Sequence, residues 1–259
     1  VDPAEKLLRL VEPSAYLFTP LTRNSFPYPP YLAMRLELTL ACPDVLPFEH
    51  LPALKGAFHR WTGHSPALHD AISLYSFSWL RGAKGGSGGL SFPTGAQWSI
   101  SAPDPHLVRG LLAAVVSDPS LHAYGLRVTD AQLRAVPAFP PGEQLFRLLS
   151  PVFVKQQLHD EQGQPRPAEH LLYDNPAADA RLTETLQHKL RQAGLSDAGV
   201  RVAFDRRYPA PKVKLFSYHN VHGRASFCPV LVTGTAEQLR FAWCVGIGHS
   251  TGIGCGALQ

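Results

Sequence analysis

Leu32-Ala33-Met34-Arg35-Leu36-Glu37-Leu38-Thr39-Leu40 alternates without a break, with Leu32, Met34, Leu36, Leu38 and Leu40 on one face and Ala33, Arg35, Glu37 and Thr39 on the other. A period of two marks a half-buried strand. Downstream, Leu51, Leu54, Phe58 and Trp61 recur at helical intervals and Gly63 follows as a C-cap, which predicts a helix of about three turns. Ser65-Pro66 opens a short turn carrying His69 and Asp70. Tyr75, Phe77 and Trp79 alternate against Ser76 and Ser78 as a second strand, Gly82 to Gly89 reads as a flexible loop, and Trp98 and Ile100 mark a third strand. Asp104-Pro105 caps an amphipathic helix running through Leu107, Val108, Leu111, Leu112, Val115 and Val116, and a strand near Leu126 and Val128 closes the set. The order β-α-β-β-α-β is the ferredoxin-like arrangement.

Pro137 to Gly142 holds three prolines in six residues and reads as a linker. Beyond it a second unit is expected. Phe146 to Lys155 is strand-like, with Pro151 confining it to an edge, an end or a bulge. Asn175-Pro176 opens a helix with Leu182, Leu186 and Leu190 four apart, and Val200, Val202 and Phe204 alternate as a strand. Lys212 to Tyr218 and Ser226 to Thr233 flank Gly223 as a hairpin with its turn there. From Thr235 to Val245 two signals conflict: Leu239, Phe241, Trp243 and Val245 alternate, which favours a strand, while Thr235 with Gln238 forms a capping box. The expected class is α+β, two tandem ferredoxin-like (βαββαβ) domains with a glycine-rich C-terminal loop. Residues 1–136 would form the first domain with an N-terminal extension, and residues 143–259 the second.

Composition narrows the function classes. With 259 residues, 45% hydrophobic and 17% charged, the chain can bury a core and carries a lightly charged surface. A formal charge of +4 admits a polyanionic partner. Twelve histidines supply groups that titrate near neutrality. Cys42, Cys228, Cys244 and Cys255 form no C-x-x-C pair, so zinc fingers, thioredoxin-like motifs and a disulfide framework lack their spacing, and a reducing cytoplasm fits best. His219 and His222 have no third ligand in register, and no metal site or other cofactor is read. Neither a membrane-length apolar run nor a signal peptide is present, and the only methionine, Met34, places the expected natural start upstream of Val1.

The chain ends in Gly246-Ile247-Gly248-His249-Ser250-Thr251-Gly252-Ile253-Gly254-Cys255-Gly256, five glycines in eleven residues. Such a run permits positive φ and lets backbone N–H groups converge on an anion. A dinucleotide fingerprint is excluded because only three residues follow Gly256, and a P-loop because no Gly-Lys-Ser/Thr occurs. The spacing glycine-hydrophobic-glycine, five residues, glycine-hydrophobic-glycine resembles the C-terminal signature of the CRISPR-associated repeat-RNA processing endoribonucleases of the RAMP superfamily. Further similarities follow in order: Gly56-Ala57-Phe58-His59, Leu68-His69-Asp70, Trp98-Ser99-Ile100-Ser101, Leu149-Ser150-Pro151-Val152 and Tyr173-Asp174-Asn175-Pro176. They cover roughly residue 32 onward, and residues 1–31 match nothing in the pattern.

The resemblance implies two ferredoxin-like domains, a basic groove for CRISPR repeat RNA, with or without a stem-loop, and a metal-independent cut by 2′-OH attack that leaves 2′,3′-cyclic phosphate and 5′-OH ends. It favours a helix for Thr235 to Val245. His69 matches the family's catalytic histidine, and His59 occupies the helix position where some members place a catalytic tyrosine. Histidine suits both proton transfers, each worth roughly 10²–10⁴-fold. The family's lysine position falls on Ser73, so charge stabilisation is expected from Arg60, Arg81 or Lys84, and His64 reads as a solvated loop residue. Family members often carry Lys or Arg among the loop's five variable residues, whereas this chain has none.

RNA contacts are expected from Arg206, Arg207, Lys212 and Lys214, four cations within nine residues, from Arg224 at the hairpin turn, and from Gly246, Gly248, His249, Ser250, Thr251, Gly254 and Gly256 in the loop. Two other readings stay open: a catalytically silent subunit that holds guide RNA in a CRISPR effector complex, and a small-molecule phosphate enzyme using the glycine loop. A homodimer is compatible with all three.

Overall fold

The computed structural model describes residues 34–259 apart from positions 66–67, 69–71, 87, 161 and 220. The alternating stretch forms β1 (Met34–Ala41), followed by α1 (Leu51–Trp61), β2 (Ser76–Phe77), β3 (Lys84–Gly86), β4 (Gly89–Ser91), β5 (Ala96–Ala102), α2 (Pro105–Ser117) and β6 (Arg127–Ala135). The main sheet has the order β2-β5-β1-β6 with every pair antiparallel, the ferredoxin-like topology. Leu36, Leu38, Leu40, Phe77, Trp98 and Ile100 are fully buried, in one hydrophobic core with α1 and α2. Asp104 caps α2 by accepting from the His106 amide at 2.8 Å. The glycine stretch after Gly82 is no open loop: β3 and β4 pair as a short hairpin, Gly85 opposite Leu90.

The second unit comprises β7 (Gly142–Phe146), β8 (Lys155–His159), β9 (Pro165–His170), α3 (Ala177–Gln192), β10 (Arg201–Phe204), β11 (Lys212–Tyr218), β12 (Val221–Phe227), β13 (Val230–Gly234) and α4 (Ala236–Val245). Its sheet runs β10-β13-β7, and Leu258 bridges antiparallel to Leu148, so the tail supplies the fourth position of a second ferredoxin-like unit. Phe146 to Lys155 is not one strand. It leaves the sheet after Phe146 and bridges in turn to Leu258, to Ser226 and to His249.

Two expectations are corrected here. Gly223 does not turn the hairpin; it lies within β12 opposite Phe216, whose ring fills the space a side chain at 223 would need. Ser226 to Thr233 is likewise divided, since β12 ends at Phe227 and β13 belongs to another sheet. The conflict over Thr235 to Val245 resolves as a helix with the full capping box: the Gln238 amide donates to Thr235 Oγ1 and the Thr235 amide to Gln238 Oε1. Its alternation misleads because α4 is buried nearly all round, including Leu239, Phe241, Ala242, Trp243, Cys244 and Val245.

That burial comes from the way the units meet. The reverse face of the first sheet is not solvated: Ser76, Ser78, Ser99 and Ser101 are at most 2% exposed, and α4 packs against β5. Ser76 Oγ donates to the Cys244 carbonyl at 2.9 Å. Arg35, expected on the solvent face of β1, is buried there instead. Its guanidinium stacks 3.6 Å over Trp243 and donates to Ser101 Oγ at 2.7 Å and the Leu258 carbonyl at 2.6 Å. Small hydroxyl side chains let helix and sheet approach closely, and the one long cation is satisfied on both sides.

Candidate active site

The glycine loop is a staple between the units. Gly246, Gly248, Gly254 and Gly256 all have positive φ, which a side chain rarely adopts. The amides of the loop are largely consumed inside the protein: Ile247 donates to Gly256 O, His249 to Phe153 O, Gly256 to Pro151 O at 2.7 Å, and Ile253 and Cys255 to Ser250 O. Ser150 Oγ accepts from the Ala257 amide at 2.9 Å. These bonds give Leu149-Ser150-Pro151-Val152 a physical role as the strip to which the loop is stitched. The expectation of amides converging on an anion is therefore corrected for these positions. Gly246, Gly248, Thr251, Gly254 and Gly256 are buried, and His249 and Ser250 are partly exposed.

A lysine from elsewhere serves the loop. Lys189 on α3 is 2% exposed and donates to Val245 O at 3.0 Å, Gly246 O at 3.3 Å and Thr251 Oγ1 at 3.0 Å. Burial pulls its pKa down to about 7. Thr251 Oγ1 in turn donates to the Tyr75 carbonyl at 3.1 Å, which carries the connection into the first unit. Burial, followed by nearby Lys155 and Lys189, lowers the His249 pKa to about 4, so this imidazole is neutral at pH 7. His249 lines a cavity of about 450 Å³ with Lys155, Gln157, Arg181, Glu184 and Thr185.

The single-turn helix Thr251–Ile253 lies against β2 and α1. A side chain at Gly252 would collide with Ser73 Oγ and come within 3.1 Å of the Tyr75 hydroxyl. At this junction Lys55 of α1 donates to that hydroxyl at 2.5 Å, and the Tyr75 ring stacks on Phe58 with centroids 4.5 Å apart. Burial lowers the Lys55 pKa to about 8 and raises that of Tyr75 to about 12, so the phenol keeps its proton while the ammonium titrates near neutrality. His59 stands four residues on, the spacing that places it on the same side of α1. Its ring lies edge-on to Phe58 at 5.6 Å, and the residue is buried at 7% exposed. His69 and Asp70 lie outside the described residues, as do residues 1–31.

The other charges expected near the cut have partners or settings of their own. Arg60 donates to Ser120 O at 2.9 Å and lies 3.9 Å from Asp118, beyond the end of α2. Arg81 donates to Ser99 Oγ at 3.1 Å, Lys84 is on the exposed β3–β4 hairpin, and His64 is exposed in the turn after α1. Lys55 is not among the residues the family pattern points to, and its one signal in the sequence is its place four residues before His59.

The basic stretch is also divided. Arg206 is tied to Asp179 at 2.5 Å and to the Asn175 carbonyl at the start of α3. Arg207 sits 3.3 Å from Asp205 with its side chain 82% exposed. Lys212 and Lys214 are exposed on the β11 face shared with Phe216, whereas Arg224, paired with Leu215, points to the opposite face of the hairpin. Among the described residues no cluster of three or more His, Cys, Asp or Glu could hold a metal ion, and no helix is long and apolar enough to cross a membrane.

Residues 135–259 match the family model described as CRISPR associated protein Cas6, C-terminal. Among solved structures, the product of a Cas6-related gene from Pyrococcus furiosus superimposes with a TM-score of 0.74 at 17% identity, over 88% of this chain and 98% of that one. A protein described as CRISPR associated protein Cas6 gives 0.71 at 19% identity, over 88% and 98%. One described as an RAMP protein binding different RNA substrates gives 0.72 at 20% identity, over 87% and 98%. No curated protein matches the chain. The glycine signature, the paired ferredoxin-like units and the match over residues 135–259 agree: those residues match the Cas6 C-terminal family model, and the chain shares its fold with the solved Cas6 structures.

Proposed function

We propose that this protein is an endoribonuclease that cuts CRISPR repeat transcripts into guide RNAs, with its two units, residues 1–136 and 143–259, closing around the RNA. The observation that carries this reading is the meeting of α1 and the glycine loop: the Tyr75 hydroxyl stands against Gly252, Lys55 of α1 donates to that hydroxyl, and His59 lies one helical turn on from Lys55. A chain of Cas6 fold that also resembles an RNA-binding RAMP protein supports repeat RNA as the substrate class.

In this mechanism the ribose 2′-oxygen attacks the adjacent phosphorus and the 5′-oxygen of the next nucleotide departs, leaving 2′,3′-cyclic phosphate and 5′-OH ends. His69 and His59 form the proton-transfer pair, one taking the 2′-OH proton and one protonating the leaving oxygen. The phosphorane-like transition state gathers negative charge that a positioned cation stabilises, and Lys55 fills the place left by Ser73. Its pKa of about 8 keeps most of it protonated at neutral pH. No metal is required by these steps. Lys155, Arg181, Lys212, Lys214 and Arg207 supply phosphate contacts that position the strand without reading it.

Cleavage of end-labelled repeat RNA in EDTA tests the reading, with product ends identified by mass. Loss of cleavage in His69→Ala, with binding retained, is the expected result; comparison of His59→Ala with His59→Gln then separates proton transfer from packing at that covered position. A wild type that binds repeat RNA yet never cuts it would instead mark the silent guide-holding subunit.

A further inference from the structure

Between the two units, on the side of α1 opposite its C-terminus, lies a cavity of about 640 Å³ that the mechanism does not use. From the first unit, Phe48 and Glu49 enter it just ahead of α1. From the second come His170 at the end of β9, and Leu215, Ser217, His222 and Arg224 from one face of the β11–β12 hairpin. Phe48 is 55% exposed and Leu215 is 78% exposed, an arrangement that leaves an aromatic ring and a branched aliphatic side chain uncovered within one groove.

The polar groups around them are held rather than loose. His170 Nδ1 accepts from the Arg224 amide at 3.4 Å, and the ring lies edge-on to Phe153 at 5.0 Å. An accepting Nδ1 leaves the ring proton on Nε2, a donor. His222 Nδ1 is 2.8 Å from Ser217 Oγ. Phe216, on the other face of the hairpin, is buried in the first unit's core against Phe153 at 5.1 Å, which fixes the hairpin's attitude to Phe48.

We infer that this groove is a subsite for an unpaired nucleotide of the RNA, with the base against Phe48 and Leu215 and the adjoining phosphate on Arg224. The inference rests on the RNA-processing reading above and adds a site to it. Flat apolar surface beside fixed donors and one guanidinium matches the chemistry of a splayed base, which stacks on aromatic faces and is bonded at its edges. A carboxylate among these side chains speaks against a bare phosphate as the occupant, since Glu49 would repel it, and for a base, whose N–H groups donate to it. Duplex RNA offers its bases stacked and its major groove closed, so the occupant is single-stranded.

The test is fluorescence anisotropy of single-stranded repeat RNA at fixed salt, with wild type, Phe48→Ala, Phe48→Tyr and Arg224→Gln, alongside 2-aminopurine placed at successive positions of the RNA. Loss of one base–aromatic stack is expected to weaken binding by about 5- to 100-fold in Phe48→Ala. Phe48→Tyr should retain affinity, and one 2-aminopurine position should be quenched by wild type and not by Phe48→Ala. Arg224→Gln should reduce the salt dependence by about one phosphate contact. Because Phe48 is exposed, its truncation leaves the core intact, which melting temperature verifies. Wild-type affinity and quenching in Phe48→Ala would overturn the subsite while leaving the nuclease reading standing; a wild type with no affinity for any repeat RNA would overturn both.

Discussion

Lys55 Nζ donates to the Tyr75 hydroxyl at 2.5 Å, and the same hydroxyl faces Gly252 of the C-terminal loop. A cation half withdrawn from water, held by a phenol that keeps its proton, is thereby fixed where the last residues of the chain touch the first helix.

This pair carries the first prediction. If Lys55 acts as a cation at the transition state, Lys55→Met should lower single-turnover cleavage by about 10²–10³-fold, the loss typical of one electrostatic donor. With a pKa of about 8, the active ammonium is lost as pH rises through 8, so the wild-type rate should fall on that limb. Lys55→Arg, charged throughout, should keep activity and shift the limb upward. An unchanged pH–rate profile in Lys55→Arg would show that the lysine is structural.

Gly252 gives a prediction that separates contact from backbone strain, since its φ is not in the left-handed region and only space is at issue. Gly252→Ala should push the loop off Ser73 and Tyr75, reducing cleavage more than it reduces RNA affinity. Gly254→Ala is harsher, because its φ of 101° adds strain to contacts with Phe77 at 3.1 Å and Trp79 at 3.3 Å. Its effect should appear as a lower melting temperature. Equal behaviour of the two variants would contradict the distinction.

The first unit was legible in sequence because its elements follow one period each: the leucines of β1 at two, the apolar stripe of α1 at three and four, and the Asp104 cap. The second unit was harder for a physical reason. α4 is packed on both sides by the two units, so its apolar residues follow no single face, and only the Thr235–Gln238 box betrayed the helix. Arg35 and the four buried serines look like a solvent face until another unit covers them. In the candidate site the glycine signature was readable, but not its use: positive φ values serve a turn stitched to residues 150–153, and the amides of residues 247, 249, 253, 255 and 256 are spent inside the protein. Lys189 could not be found from sequence, because it lies 56 to 62 residues from the groups it bonds.

The inter-unit contact of Arg35 is open to direct measurement. Arg35→Met keeps much of the packing on Trp243 but strands the Leu258 carbonyl, and about 1–3 kcal/mol of stability should be lost for an unsatisfied buried acceptor. Hydrogen exchange should rise at Gln259, whose amide donates to Arg147 O at 2.9 Å and closes the tail strand. Unchanged protection there would mean that the tail is held without the arginine.

Lys189 supplies a prediction with a definite sign. Its pKa is near 7 in the folded protein and near 10.5 in an unfolded chain, so between those values the unfolded state binds the additional proton and stability rises with pH. Below about 7 the ammonium is present in both states and its contribution is flat at its lowest. Lys55 titrates in the same window and in the same direction, so the informative quantity is the difference between wild type and Lys189→Met. At pH 7 the variant should be less stable by about 1–3 kcal/mol, because Val245 O and Gly246 O lose a donor. At pH 9 the gap should widen, since the wild type gains stability that methionine cannot. Thermal melts at both pH values read this directly. A gap that stays constant would mean that three acceptors hold the ammonium charged through the window despite its burial.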